Sequence, residues 1–170
     1  MKEKEQKKRS VGLVLLLQFI VLLVVFVLNA IMSGGVQEIL IGIYHYIDVP
    51  IMISIPLFVL PAMLVSGTMK DFGRAFQIGR KLYSIGQIKK SLEAVEMTQR
   101  LVICGCMFPT LIMVIVLLYN MEDLTSVGPS LSVSLVAILY GVILESLLIP
   151  LHAHVQNRLT EALDVTDEEM

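Results

Sequence analysis

Four apolar runs organise the chain, at residues 11–31, 49–67, 101–118 and 131–151. At ~1.5 Å of helical rise per residue, each covers most or all of a ~30 Å hydrocarbon core. The pattern changes between the second and third runs. There Phe72, Ala75, Phe76, Gly79 and Leu82 recur at three and four residues, so the second span is expected to continue as an amphipathic helix. Ser84 followed by Gln87 has the form of a capping box, and Ile85, Ile88, Leu92 and Val95 carry an apolar stripe into the third run. The predicted fold is all-α: a polytopic membrane protein with four transmembrane helices, its second and third spans extended into a short cytoplasmic helical hairpin. Its organisation reads as an N-terminus (1–10), a first transmembrane hairpin (11–67), the cytoplasmic hairpin (68–100), a second transmembrane hairpin (101–151) and a tail (152–170).

Local signals refine this pattern. The first run is too long for the apolar part of a signal peptide, and Asn29-Ala30-Ile31-Met32 is not a small-x-small cleavage site. Pro50, Pro56 and Pro61 fall in the second run, where a membrane span tolerates them if neighbours satisfy the freed carbonyls. Tyr44, His45 and Tyr46 suit a membrane interface. Gly128-Pro129 reads as a turn opening the fourth span, and the acidic tail from Asp164 to Met170 reads as disordered.

Composition agrees with the pattern: 56% of residues are hydrophobic, 16% are charged, and mean hydropathy is +0.80. A soluble domain has roughly 45–50% apolar and about 25% charged residues. The net charge of −2 gives no reason to expect nucleic acid as a partner; the lipid bilayer is the expected one. Charge also orients the chain. Lys2, Lys4, Lys7, Lys8 and Arg9 precede the first run; Lys70, Arg74, Arg80, Lys81, Lys89, Lys90 and Arg100 separate the second and third; Arg158 follows the fourth. These are all 13 basic residues, and four crossings put every one on the same side. The positive-inside rule makes that side cytoplasmic, with both termini in.

Candidate chemistry is sparse. Cys104 and Cys106 form a single pair without a framework and read as small packing residues, and His152 and His154 read as boundary residues. No nucleophile–base pair or metal cluster is visible, so no enzyme is expected. Glu145 is the only ionisable acid or base inside the four runs, six residues (~9 Å) from Leu151. It ends a small or polar stripe, Ser130, Ser134, Ala137, Gly141 and Glu145, on an otherwise Leu/Ile/Val helix. Such a stripe serves either close helix packing or an ion-linked face.

The stretch from Asp123 through Gly128-Pro129-Ser130 to Leu139-Tyr140-Gly141, with Pro150 closing the span, resembles the last hairpin of the MotA/TolQ/ExbB proton-channel proteins. Tyr46-Ile47-Asp48-Val49-Pro50, followed by an apolar span and Lys70-Asp71-Phe72, is similar to MotA in particular. The resemblance covers residues 46–170 and implies a stator-type subunit of a bacterial inner membrane. It implies a homo-oligomer, a pentamer, around a single-span partner of the MotB/TolR/ExbD kind. The transported ion would be H+ or Na+, with no cofactor, and ion flow would drive mechanical work. Thr110, Ser134, Ala137, Gly141 and Glu145 then fall on the ion pathway, and Pro150 at its structural or gating proline. The chain departs from the family where Ala137 and Ile138 stand in place of threonines, where Glu145 replaces a neutral residue, and where the segment 68–100 replaces a far larger domain. Two alternatives follow: a non-conducting scaffold or regulator derived from the same family, and a small four-helix carrier using Glu145.

Overall fold

The computed structural model describes residues 11–34, 47–78, 81, 83–121 and 124–168. The basic N-terminus, Gly35, the rings of Tyr44, His45 and Tyr46, and Gly79, Arg80, Leu82 and Asp123 lie outside the described residues. Among the described residues five helices follow in order: α1 (Val11–Gly34), α2 (Val49–Val65), α3 (Met69–Ala75), α4 (Ile85–Tyr119) and α5 (Leu124–Glu168). The described residues contain no strand, only an isolated bridge between Ile78 and Lys81. The fold is all-α. Among the described residues three helices, α1, α4 and α5, are long and apolar enough to cross a bilayer, and α2 with α3 passes the same test as one bent pair.

The start of α2 follows from its sequence. Asp48 is extended, and its Oδ1 accepts the Ile51 N–H at 3.0 Å, satisfying one of the donors that a helix start leaves open. Pro50 sits in the first turn, where a missing N–H removes no helical bond. The helix continues through Pro56 and Pro61 and buries Ile51, Ile55, Val59 and Met63, one face at four-residue spacing.

The second span does not continue straight into an amphipathic helix. It ends at Val65, and the chain bends by 107° before α3. The cause is a glycine-capped stop. Gly67 has φ +70°, its N–H donates to the Leu64 carbonyl at 3.2 Å, and the Thr68 N–H donates to the Met63 carbonyl at 3.2 Å. This is the Schellman arrangement, which closes a helix and redirects the chain. The apolar period beyond Gly67 therefore belongs to the separate helix α3, where Phe72 and Phe76 meet edge to face at 5.4 Å.

The other half of the expected hairpin forms. Ser84 precedes α4, and its N–H donates to Gln87 Oε1 at 3.2 Å. With 35 residues, α4 extends ~52 Å, and α5, with 45, extends ~68 Å, so both exceed a ~30 Å core. Two sequence expectations for α5 are corrected. The helix begins at Leu124 rather than after a Gly128-Pro129 turn; Pro129 sits inside it and forgoes one backbone bond, a loss helices in lipid accommodate. The tail is helical to Glu168, because Leu151, Val155, Leu159 and Ala162 prolong the packed stripe and Arg158 pairs with Glu161 at 2.8 Å.

Packing is centred on the α4–α5 pair, which shares the most extensive contact; α2 and α3 lie against α4, and α1 leans on α5. No residue in the apolar window of α1, Gly12–Asn29, is buried. Large apolar side chains such as Leu17, Ile53, Leu57, Phe108 and Ile115 point outward. In water such exposure is prohibitive; against lipid tails it is the expected surface.

Candidate functional site

The seam between α4 and α5 gathers the residues singled out in the sequence. The helices run antiparallel, and two contacts set their register. Gln99 Nε2 of α4 donates to Glu145 Oε2 of α5 at 3.4 Å. One to two turns further along, a Cβ built on Gly141 would lie 3.1 Å from Cys106 Cβ and 3.2 Å from its Sγ. The same register brings Thr110 level with the Ser134 to Ala137 turn.

The small residues work as a packing seam within one chain. Ala137 is 1% exposed, Ser134 3% and Thr110 7%. Both hydroxyls are directed to their own helix: Thr110 Oγ1 donates to the Cys106 carbonyl at 2.8 Å, and Ser134 Oγ to the Ser130 carbonyl at 2.9 Å. This back-bonding satisfies the proton of a buried hydroxyl and leaves lone pairs as its remaining polar capacity. Cys106 is buried against Gly141 as a packing residue, whereas Cys104, two positions before it, faces outward.

Glu145 is the exception in the seam. Its Oε1 is buried and has no hydrogen-bond partner among the described residues. An unpaired carboxylate oxygen is costly in any apolar setting. Glu145 also lines an open-sided groove of about 320 Å³ walled by Ile103, Met107, Ile138, Val142 and Ile149. Pro150, one turn on, has no N–H to give the Ser146 carbonyl, so the backbone beside the carboxylate lacks its normal helical donor. The structure therefore divides the sequence candidates. Thr110, Ser134 and Ala137 are buried in the seam; Gly141 and Glu145 line the groove, and Pro150 follows about a turn past Glu145 on α5.

Three polar contacts were not legible in the sequence. Gln99 precedes the third apolar run by two residues, and only the antiparallel register reveals its partner. His152 Nε2 donates to Glu96 Oε1 at 3.2 Å, and His154 Nε2 donates to the Ile78 carbonyl at 3.2 Å. These histidines are not merely boundary residues; they tie the second half of α5 to α4 and to the segment after α3. Arg74 is likewise engaged, paired with Asp71 at 2.6 Å and lying 5.8 Å from the Tyr83 ring centre. Among the described residues no group of three or more His, Cys, Asp or Glu side chains could hold a metal ion.

The two stretches that carry the family resemblance also meet. The Asp48 N–H donates to the Tyr140 hydroxyl at 3.2 Å, joining the start of α2 to the middle of α5. No family model, curated protein or solved structure matches this chain.

Proposed function

We propose that this chain crosses a bacterial inner membrane four times, with both termini and the segment 68–100 on the cytoplasmic side, and acts as a compact MotA-like stator subunit. In this reading it couples H+ or Na+ flow to mechanical work as a homo-oligomer around a single-span partner of the MotB/TolR/ExbD kind. At 17 residues, α2 rises ~26 Å, which a tilted neighbour or a locally thinned bilayer accommodates as the fourth crossing. All 13 basic residues then lie on one side, as the positive-inside rule requires. The observation that carries the reading is the hydrogen bond from Asp48 to Tyr140. The D-x-P step and the L-Y-G step are the most MotA-like parts of the sequence, and they are in contact although 92 positions apart.

The test is reconstitution. Liposomes holding the chain with a single-span partner bearing an intramembrane Asp are expected to pass ions under an imposed gradient, and Asp→Asn in the partner abolishes that flux. Equal flux from the chain alone would overturn the reading.

One observation favours a second reading, a non-conducting scaffold from the same family. The Thr110 and Ser134 hydroxyls are buried and committed to their own backbones, and Ala137 and Ile138 provide no hydroxyl. In that case the seam serves assembly alone.

A further inference from the structure

We propose that the groove beside Glu145 is a binding site for a hydrophobic organic cation, a primary ammonium on an apolar body. The inference goes beyond the stator reading and does not depend on it. Three features of one place lead to it. The walls are mainly apolar: Ile103, Met107, Ile138, Val142 and Ile149, with the Cys106 thiol beside them, leave a space of about 320 Å³, within the ~300–1,000 Å³ usual for small-molecule sites. At its edge stands the only acid in the apolar runs, with one carboxylate oxygen that no described group satisfies. Beside it, the Ser146 carbonyl receives no N–H from Pro150. Among the described residues the carboxylate therefore has one donor, Gln99 Nε2 on Oε2, and none on Oε1.

Charge selects the ligand. A carboxylate among aliphatic side chains gains most from a positively charged donor, because a charge-assisted hydrogen bond strengthens as water is excluded. No Lys or Arg of this chain falls inside the four apolar runs, so the spans of a second copy carry no such cation. An anion is repelled, and a neutral apolar molecule leaves the orphaned oxygen as it was. Glu145 lines the groove as it stands, with its Oε2 held 3.4 Å from Gln99 Nε2. The groove opens sideways and Glu145 lies ~9 Å from the Leu151 end of its apolar run, so the ligand enters from the adjacent leaflet, where amphiphilic amines accumulate.

The experiment uses the full chain in lipid nanodiscs and equilibrium dialysis, with empty nanodiscs subtracting partition into lipid. The probe is naphthylmethylammonium; naphthylmethanol and naphthylacetate are its neutral and anionic counterparts. Saturable binding of the ammonium alone is expected, weakened roughly ten- to a hundredfold by Glu145→Gln. Ile138→Trp fills the groove without touching the charge and is expected to abolish binding, which keeps the test decisive if Glu145→Gln folds poorly. Equal binding of the three probes, no binding of the ammonium, or ammonium binding that survives both substitutions would overturn the proposal. The measurement needs neither partner nor ion gradient, so its outcome is separate from that of the stator reading.

Discussion

The backbone N–H of Asp48 and the phenolic oxygen of Tyr140 lie 3.2 Å apart, bridging the first turn of α2 and the centre of α5. Asp48 is doubly used, because its carboxylate also caps α2 through the Ile51 N–H. Tyr140→Phe keeps the ring and removes the acceptor, and is expected to lower stability by about 1 kcal/mol. Asp48→Ala is expected to cost about 1 kcal/mol by losing the cap, while Asp48→Asn retains most of it. Thermal unfolding in detergent reads all three; an unchanged midpoint for Tyr140→Phe would remove the link.

Gly67 tests the bend between α2 and α3. A Cβ there meets nothing within 4 Å, so any penalty of Gly67→Ala comes from the left-handed backbone and not from a clash. About 1 kcal/mol of destabilisation is expected. A neutral result would mean that the helix pair does not hold the 107° geometry.

Gly141 tests the seam. Unlike Gly67, it has a neighbour at once, Cys106, so Gly141→Ala forces α4 and α5 apart by a few tenths of an ångström. Overpacking of this kind costs typically 1–3 kcal/mol, and Gly141→Leu is expected to exceed that range. Cys106→Ala removes the sulfur contact and should restore part of the loss in a double-mutant cycle.

The two histidines in the second half of α5 should behave differently. His152 pairs with a Glu96 side chain that is 44% exposed, so His152→Ala is expected to change stability by less than about 1 kcal/mol. His154 donates to the carbonyl of Ile78, a residue only 3% exposed. His154→Ala leaves that carbonyl without its donor, at an expected cost of about 1–3 kcal/mol. The same unfolding assay separates them, and equal effects would contradict the assignment.

Thr110→Val and Ser134→Ala decide between conduction and scaffolding. Each removes a hydroxyl whose proton already serves its own helix, so stability should move by about 1 kcal/mol or less. If the seam conducts, ion flux in liposomes with the partner should fall severalfold for Thr110→Val. Unchanged activity in both variants favours the scaffold.

The helical class, the apolar runs, the capping box at Ser84 and the prominence of Glu145 were legible in the chain itself. Apolar length, period and capping are local, set by residues within a few positions of one another. The first half of the expected hairpin differs for an instructive reason: the apolar period resumes after Gly67, and period alone does not report that a glycine at positive φ has closed the helix. The extent of α5 was missed because a Gly-Pro pair and an acidic tail look like breaks until Leu159 and Ala162 are seen to have something to pack against. Gln99 facing Glu145, Cys106 facing Gly141 and Asp48 meeting Tyr140 depend on the antiparallel register of distant segments. That register is settled by side-chain fit along the whole length of α4 and α5, a collective quantity that no local stretch encodes.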